Sequence, residues 1–103
     1  MELPVVNHPD YVAKINDDNK FPIKKFGALA DHLLKEGIVK KFYIPQECST
    51  ETLKTSHSLE YINHIKNQTL DIKLQKRIGF PINDSVVRRS FVATGGTVLA
   101  SKL

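Results

Sequence analysis

Cysteine is all but absent. Cys48 is the single thiol in 103 residues, so neither an intramolecular disulfide nor a thiolate zinc knuckle can be built. A reducing, cytoplasmic setting is expected. Long apolar runs are missing as well, and no segment reaches the length that spans a membrane. The opening Met1-Glu2-Leu3-Pro4 has neither the basic n-region nor the apolar stretch of a signal peptide. Blocks of like charge are also lacking. Lysine plus arginine number 15 against 11 aspartate plus glutamate, a net charge of +4. The basic residues stand as scattered pairs, Lys24-Lys25, Lys40-Lys41, Lys76-Arg77 and Arg88-Arg89. That pattern reads as a solvated surface, and nucleic acid is the less favoured partner.

Catalytic signatures are equally scarce. The histidines are His8, His32, His57 and His64, and no two have the three- or four-residue spacing of a helical metal site. His57 and His64 would share one helix face, but no acidic or thiol ligand accompanies them, so surface or capping roles fit better than zinc ligation. No serine sits in a Gly-x-Ser-x-Gly elbow. Cys48 precedes the cap residues Ser49-Thr50, and a helix N-terminus can lower a thiol pKa; a small semi-buried residue is the simpler reading. Asp17-Asp18 is loop punctuation rather than an acid/base dyad. Gly95-Gly96-Thr97 falls inside a helical pattern instead of before a helix N-terminus, where a phosphate cradle would need it.

What is present suits one small folded domain. Hydrophobic residues make up 41% and charged residues 25%, ordinary for a globular chain. No repeat or low-complexity segment interrupts it. Leu3 to Val6 reads as a short buried strand ended at Asn7-His8-Pro9-Asp10, because Pro9 cannot continue a ladder. Lys14 to Lys20 is a polar loop. Pro22 opens a helix with Phe26, Leu29, Ala30, Leu33 and Leu34 as one buried stripe, and Gly37 closes it. Phe42 to Pro45 is an edge strand or an extended connector.

Further along, Ser49 or Thr50 caps a short helical turn through Leu53. Ser56 to Ser58 starts another helix carrying Leu59, Ile62 and Ile65. Leu70, Ile72 and Leu74 fit strand or helix alike, and Ile78 to Pro81 is a turn-rich connector. Asp84 is the expected N-cap of a last helix from Ser85 to about Lys102, with Val87, Phe91, Thr94 and Val98 on one face. Gly95-Gly96 would each cost that helix about 1 kcal/mol relative to alanine, so close packing against its backbone is expected.

Five segments, in order along nearly the whole chain, resemble the N-terminal part of the histone deacetylase superfamily, its class IV and bacterial members above all. They are Val6-Asn7-His8-Pro9-Asp10-Tyr11, Phe21-Pro22-Ile23-Lys24-Lys25-Phe26, Leu53 to Ile62 around His57-Ser58-Leu59-Glu60-Tyr61, Arg77-Ile78-Gly79-Phe80-Pro81, and Ala93 to Ala100 around Gly95-Gly96-Thr97. Asn7 stands where the family often has tyrosine, and Ile23 replaces the commoner methionine.

The resemblance implies an α/β chain. It would be the N-terminal fragment of an arginase-like parallel-sheet fold, mostly helical here, with one or two short strands. Leu3 to Val6 would be the first strand, and residues 1–103 a partial domain. It implies a zinc-dependent amidohydrolase that removes acetyl groups from lysine or a small amine, with zinc bound in the full-length member. The family's zinc-binding and acid/base segments, Gly-Gly-x-His-His and Asp-x-Asp-x-His, would follow Leu103. The chain itself therefore carries no catalytic or metal residue and no cofactor.

The resemblance places Lys20, Phe21 and Pro22 at the rim of the substrate tunnel. Lys25 falls by an internal pocket, or is simply a solvated helix lysine. His57 is expected to cap the helix carrying Tyr61. The expected partner is the remainder of the deacetylase domain or a second copy of the chain. Two other classes stand beside this reading: a non-catalytic helical interaction module and a small basic nucleic-acid-binding protein. Ser101-Lys102-Leu103 continues the last helix without a cap or breaker, and its match to a peroxisomal address is taken as chance.

Overall fold

In a computed structural model, which describes residues 3–16 and 18–103, the chain is helical. Asp17, half of the Asp17-Asp18 pair, lies outside the described residues, as do Met1 and Glu2. A 3₁₀ turn at Pro9–Tyr11 is followed by α1 (Lys25–Lys35), α2 (Thr50–Leu53), α3 (Leu59–Lys66), α4 (Ile72–Ile78) and α5 (Asp84–Ser101). The helices start where small oxygen-bearing side chains reach back to free N–H groups. Ser49 Oγ accepts from Thr52 N, Ser58 Oγ from Tyr61 N, Asp71 Oδ1 from Lys73 N and Asn83 Oδ1 from Val86 N. The α5 cap is thus Asn83 and not Asp84. Asp84 is the first residue of the helix, and its carboxylate accepts from Gln68 Nε2. Gly37 and Gly79, at φ +70° and +84°, take the left-handed conformation that ends α1 and α4.

The expected parallel sheet is not formed, and the α/β arginase-like fold is corrected accordingly. Among the described residues there is no strand. The segment Leu3 to Val6 contributes a single parallel bridge, Val6 to Tyr43, held by Tyr43 N to Val5 O at 2.9 Å and Asn7 N to Tyr43 O at 3.1 Å. Proline sets the limit. Pro4 and Pro9 bracket one segment and Pro45 closes the other, and each removes a ladder donor. Burial is lacking too, for Leu3 is 79% exposed, whereas parallel strands are stable when covered on both faces. The molecule measures 45 × 35 × 17 Å, too thin for a sheet with helices on both sides. Its radius of gyration of 15.1 Å exceeds the ~13 Å of a compact 100-residue domain.

The spine of this slab is α5. Val86, Phe91, Val92, Gly95 and Gly96 are buried, and Val92 is fully so. The N-terminal segment is laced to the first turns of α5. Lys14 N donates to Ser85 Oγ, Asn83 Nδ2 to Lys14 O, and Arg89 Nε to Tyr11 O. Arg88 bridges Asp10 at 3.0 Å and Glu47 at 2.7 Å. The strap through Gln46 and Cys48 then crosses α5, with Cys48 N donating to Phe91 O. At this crossing a methyl on Gly95 would overlap the Gln46 carbonyl, and one on Gly96 would overlap the Tyr11 hydroxyl. The close approach anticipated for the two glycines is what the helix exchanges for its lost propensity.

Beside the N-terminal half of α5, Ala13, Ile23 and Val86 form the core cluster, with Ile15, Phe21, Phe26, Phe80 and Ile82 packed around it. The stripe of α1 is buried less than its periodicity suggests. Ala30 is covered, but Leu29 and Leu34 face solvent.

Candidate functional site

α5 is apolar on two sides. One side, through Val92, Gly95 and Gly96, meets the N-terminal segment and the strap. The other bounds an open groove of about 300 Å³. Three of the residues expected on one face of the helix, Val87, Phe91 and Thr94, line that groove together with Val86 and Ser90. The opposite wall is Leu53 of α2 and Tyr61, Ile62 and Ile65 of α3, with His57 between these helices. Ile78, Phe80, Ile82, Ala13, Ile15 and Ile23 complete its lining. Thr94 is exposed to the groove, and Val98 takes no part in its lining.

The groove has one fixed charge, Arg89, and no acidic side chain lines it. The two neighbouring arginines differ in every respect. Arg88 is exposed and held between two carboxylates, Asp10 and Glu47, whose hydrogen bonds raise its pKa. Arg89 is half-buried, and burial lowers its pKa, an effect that the nearby Tyr11 partly offsets. Its Nε donates to Tyr11 O at 2.8 Å. Its guanidinium lies 5.6 Å from the Phe21 ring and 5.0 Å from the Phe26 ring, within cation–π range. The Ser90 and Thr94 hydroxyls donate to the carbonyls of Val86 and Ser90 one turn back, so they are committed to the helix.

None of the four residues expected at a tunnel or pocket lines this groove. Lys20 and Pro22 are exposed. Phe21 meets Phe80 edge-on at 5.3 Å and belongs to the layer around the core. Lys25 Nζ lies 5.4 Å from the Phe21 ring and 5.2 Å from the Phe26 ring. The Phe21–Phe26 pair is therefore flanked by two cations, and Lys25 does more than project into solvent. Arg89 escaped notice in the sequence because it stood in a scattered doublet. The readable signal was its helical position, since adjacent residues point about 100° apart and Arg89 is bracketed by Val86, Val87 and Phe91.

The histidines hold structural posts. His8 Nδ1 accepts from Asp10 N at 3.0 Å and caps the 3₁₀ turn. His64 Nδ1 pairs with Thr69 Oγ1 at 2.8 Å. His57 does not cap α3; Ser58 does, and the His57 ring lies 5.6 Å from that of Tyr61. Among the described residues no three His, Cys, Asp or Glu side chains converge as a metal site. No described helix is long and apolar enough to cross a membrane.

No family model matches the chain. It is similar to an uncharacterized protein of Picosynechococcus sp. (strain ATCC 27264 / PCC 7002 / PR-6), 39% identical over 105 residues that take in all of this chain and 35% of that protein. The chain spans about a third of the length of the curated relative it matches.

Proposed function

We propose that the chain is the non-catalytic N-terminal portion of a zinc-dependent deacetylase acting on an acyl-lysine or an acetylated amine, its metal and acid/base residues being supplied by further polypeptide. The observation that carries this reading is the likeness of the whole chain to about a third of a longer protein, taken with the five ordered segments.

The test is to read the coding DNA past the Leu103 codon. It should run on in frame into Gly-Gly-x-His-His and Asp-x-Asp-x-His, and the longer product should bind one zinc and deacetylate an acetyl-lysine peptide. The 103-residue chain should do neither. An immediate stop codon, or one tight zinc on the 103-residue chain, would overturn the proposal.

The apolar edge of the slab favours a second reading, a helical interaction module. Leu3 and Leu103, both more than half exposed, border one surface hollow with Val39 and Tyr43. Side chains of this size grouped at a surface mark a contact face. The free chain should then self-associate, and sedimentation at rising concentration measures it; a clean monomer up to about millimolar concentration counts against this reading.

A further inference from the structure

We propose that a second copy of the chain docks edge to edge on the segment Phe42 to Ile44, in an antiparallel two-fold pair centred on Tyr43. This deepens the interaction-module reading and rests on it, since it names the face through which the chain self-associates.

The argument starts from which way the backbone points. Lys41 to Ser49 runs extended, without turn or helix. Tyr43 spends both its N–H and its C=O on the N-terminal segment, on Val5 O and Asn7 N. Alternate residues of an extended chain turn these groups to opposite edges. Phe42 and Ile44 therefore turn theirs outward, and among the described residues neither has a hydrogen-bond partner for them. Ile44 is 67% and Tyr43 41% exposed, so this edge stands at the surface. An open edge of this kind is a template for another chain.

The two edges of the bridge are not alike. Val5 and Asn7 face Tyr43, so Pro4 and Val6 face away from it. Pro4 has no N–H to offer there, and that edge is blunted. Pro45 has the parity of Tyr43. Its missing N–H belongs to the inner ladder, and the outer edge keeps the donors of Phe42 and Ile44.

Self-complementarity selects the occupant. Antiparallel pairing about Tyr43 sets Phe42 opposite Ile44 of the second copy, and Ile44 opposite Phe42. Each pair exchanges both of its N–H···O bonds. The two halves are then identical, as a closed homodimer requires. Charge sets the direction. Lys40 and Lys41 precede the segment and Glu47 follows it. Antiparallel pairing puts Lys41 diagonal to Glu47 of the second copy, within reach of a long side chain. Arg88 engages one oxygen of Glu47 at 2.7 Å, and a carboxylate has a second. Parallel pairing would instead set lysines against lysines.

The experiment follows self-association of the full 103-residue chain by sedimentation equilibrium, from about 10 µM to about 1 mM, the span suited to a small interface. A reversible dimer is expected. Ile44→Pro removes an outward N–H that is unpaired within the chain, so the monomer should fold unchanged while dimerisation weakens at least about tenfold. Should that variant not fold, cross-linking decides. With Cys48→Ala as background, Tyr43→Cys should oxidise to a disulfide-linked dimer, because residues opposed without hydrogen bonds stand about 4.5 Å apart at Cα. Ile44→Cys should link at least about tenfold more slowly, its two copies standing beyond the ~7 Å reach of a disulfide. Absence of any association would sink this proposal and the interaction-module reading together. Association that Ile44→Pro leaves intact, or equal cross-linking of Tyr43→Cys and Ile44→Cys, would overturn the edge pairing alone.

Discussion

The two sides of α5 solve opposite problems. Toward the N-terminal segment the helix has discarded side chains. At Gly95 and Gly96 it admits the Gln46 carbonyl and the Tyr11 hydroxyl with no room for a methyl. Toward α3 it keeps Val87, Phe91 and Thr94, which border an open groove. One side is specified by the close approach of a carbonyl and a hydroxyl to the helix backbone, the other by an apolar lining around an open groove. A packed interior tolerates no added atom, whereas a cavity wall loses little when trimmed. The same helix should therefore respond unequally to substitutions of equal size.

The sharpest break should come at the glycine seam. Gly95→Ala should destabilise by about 2 kcal/mol or more, because overpacking against main chain outweighs the ~1 kcal/mol gain in helix propensity. The obstruction is the Gln46 carbonyl, with Cys48 N also at 3.1 Å, and neither can rotate away. Gly96→Ala meets the end of a side chain instead. With Tyr11→Phe in the same chain, the remaining ring carbon is at 3.3 Å and a small shift relieves it. The double variant should recover at least about 1 kcal/mol relative to the sum of the singles. Urea melts of the four proteins measure the cycle, and strict additivity would mean that Tyr11 does not sit over Gly96.

Across the helix, a matched pair tests the open side. Val92→Ala removes two methyl groups from a fully buried position and should cost about 2 kcal/mol. Val87→Ala removes the same atoms from the groove wall and should cost less than about 1 kcal/mol, having fewer contacts to lose. Equal losses in chemical denaturation would show that the groove is filled in solution.

This asymmetry also explains how far the sequence could be read. Local signals carried well. Ser49 and Ser58 cap α2 and α3, and Gly37 ends α1. Of Leu70, Ile72 and Leu74, ambiguous by periodicity, the last two fall in a helix once Asp71 is recognised as its cap. Of the contacts distant in the chain, only the close approach at Gly95 and Gly96 was legible, without the Gln46 carbonyl and Tyr11 hydroxyl that make it. The packed face of α5 holds glycines, which have no hydrophobicity to register, so the readable stripe through Val87, Phe91 and Thr94 marked the groove wall instead. The run Leu3 to Val6 looks like a strand, but strands exist only in company, and among the described residues its pairing is two hydrogen bonds with Tyr43. The groove draws its lining from Ala13 through Thr94, and no window of sequence contains it.

A smaller effect separates two adjacent candidates for the α5 cap. Asn83 Oδ1 accepts from Val86 N at 3.0 Å and Ser85 Oγ at 2.7 Å, and its Nδ2 donates to Lys14 O. Asn83→Ala should cost about 1–2 kcal/mol and loosen the N-terminal segment along with the helix. Asp84→Ala, at an exposed position, should stay within about 0.5 kcal/mol. Hydrogen exchange at Lys14 and Val86 resolves the two, and a larger loss at Asp84 would restore it as the cap.

The smallest expected effect concerns pH. Burial raises the Tyr11 phenol above its ordinary value of 10.0, and the Arg89 charge offsets part of the rise. The native state therefore keeps the phenolic proton to higher pH than the unfolded chain does. Above pH 10 the unfolded state binds fewer protons, so stability falls as pH rises. The contribution is whole below the unfolded pKa and is gone once pH passes the folded one. Tyr11→Phe has no proton to lose and retains the ring. Lysines titrate in the same range, so the diagnostic is the difference between the two proteins. It should be constant from pH 7 to about pH 9.5 and shift in favour of the phenylalanine variant above that. Parallel pH profiles would mean that the hydroxyl is solvated, and the tight side of α5 would then owe its specificity to Gly95 and the Gln46 strap alone.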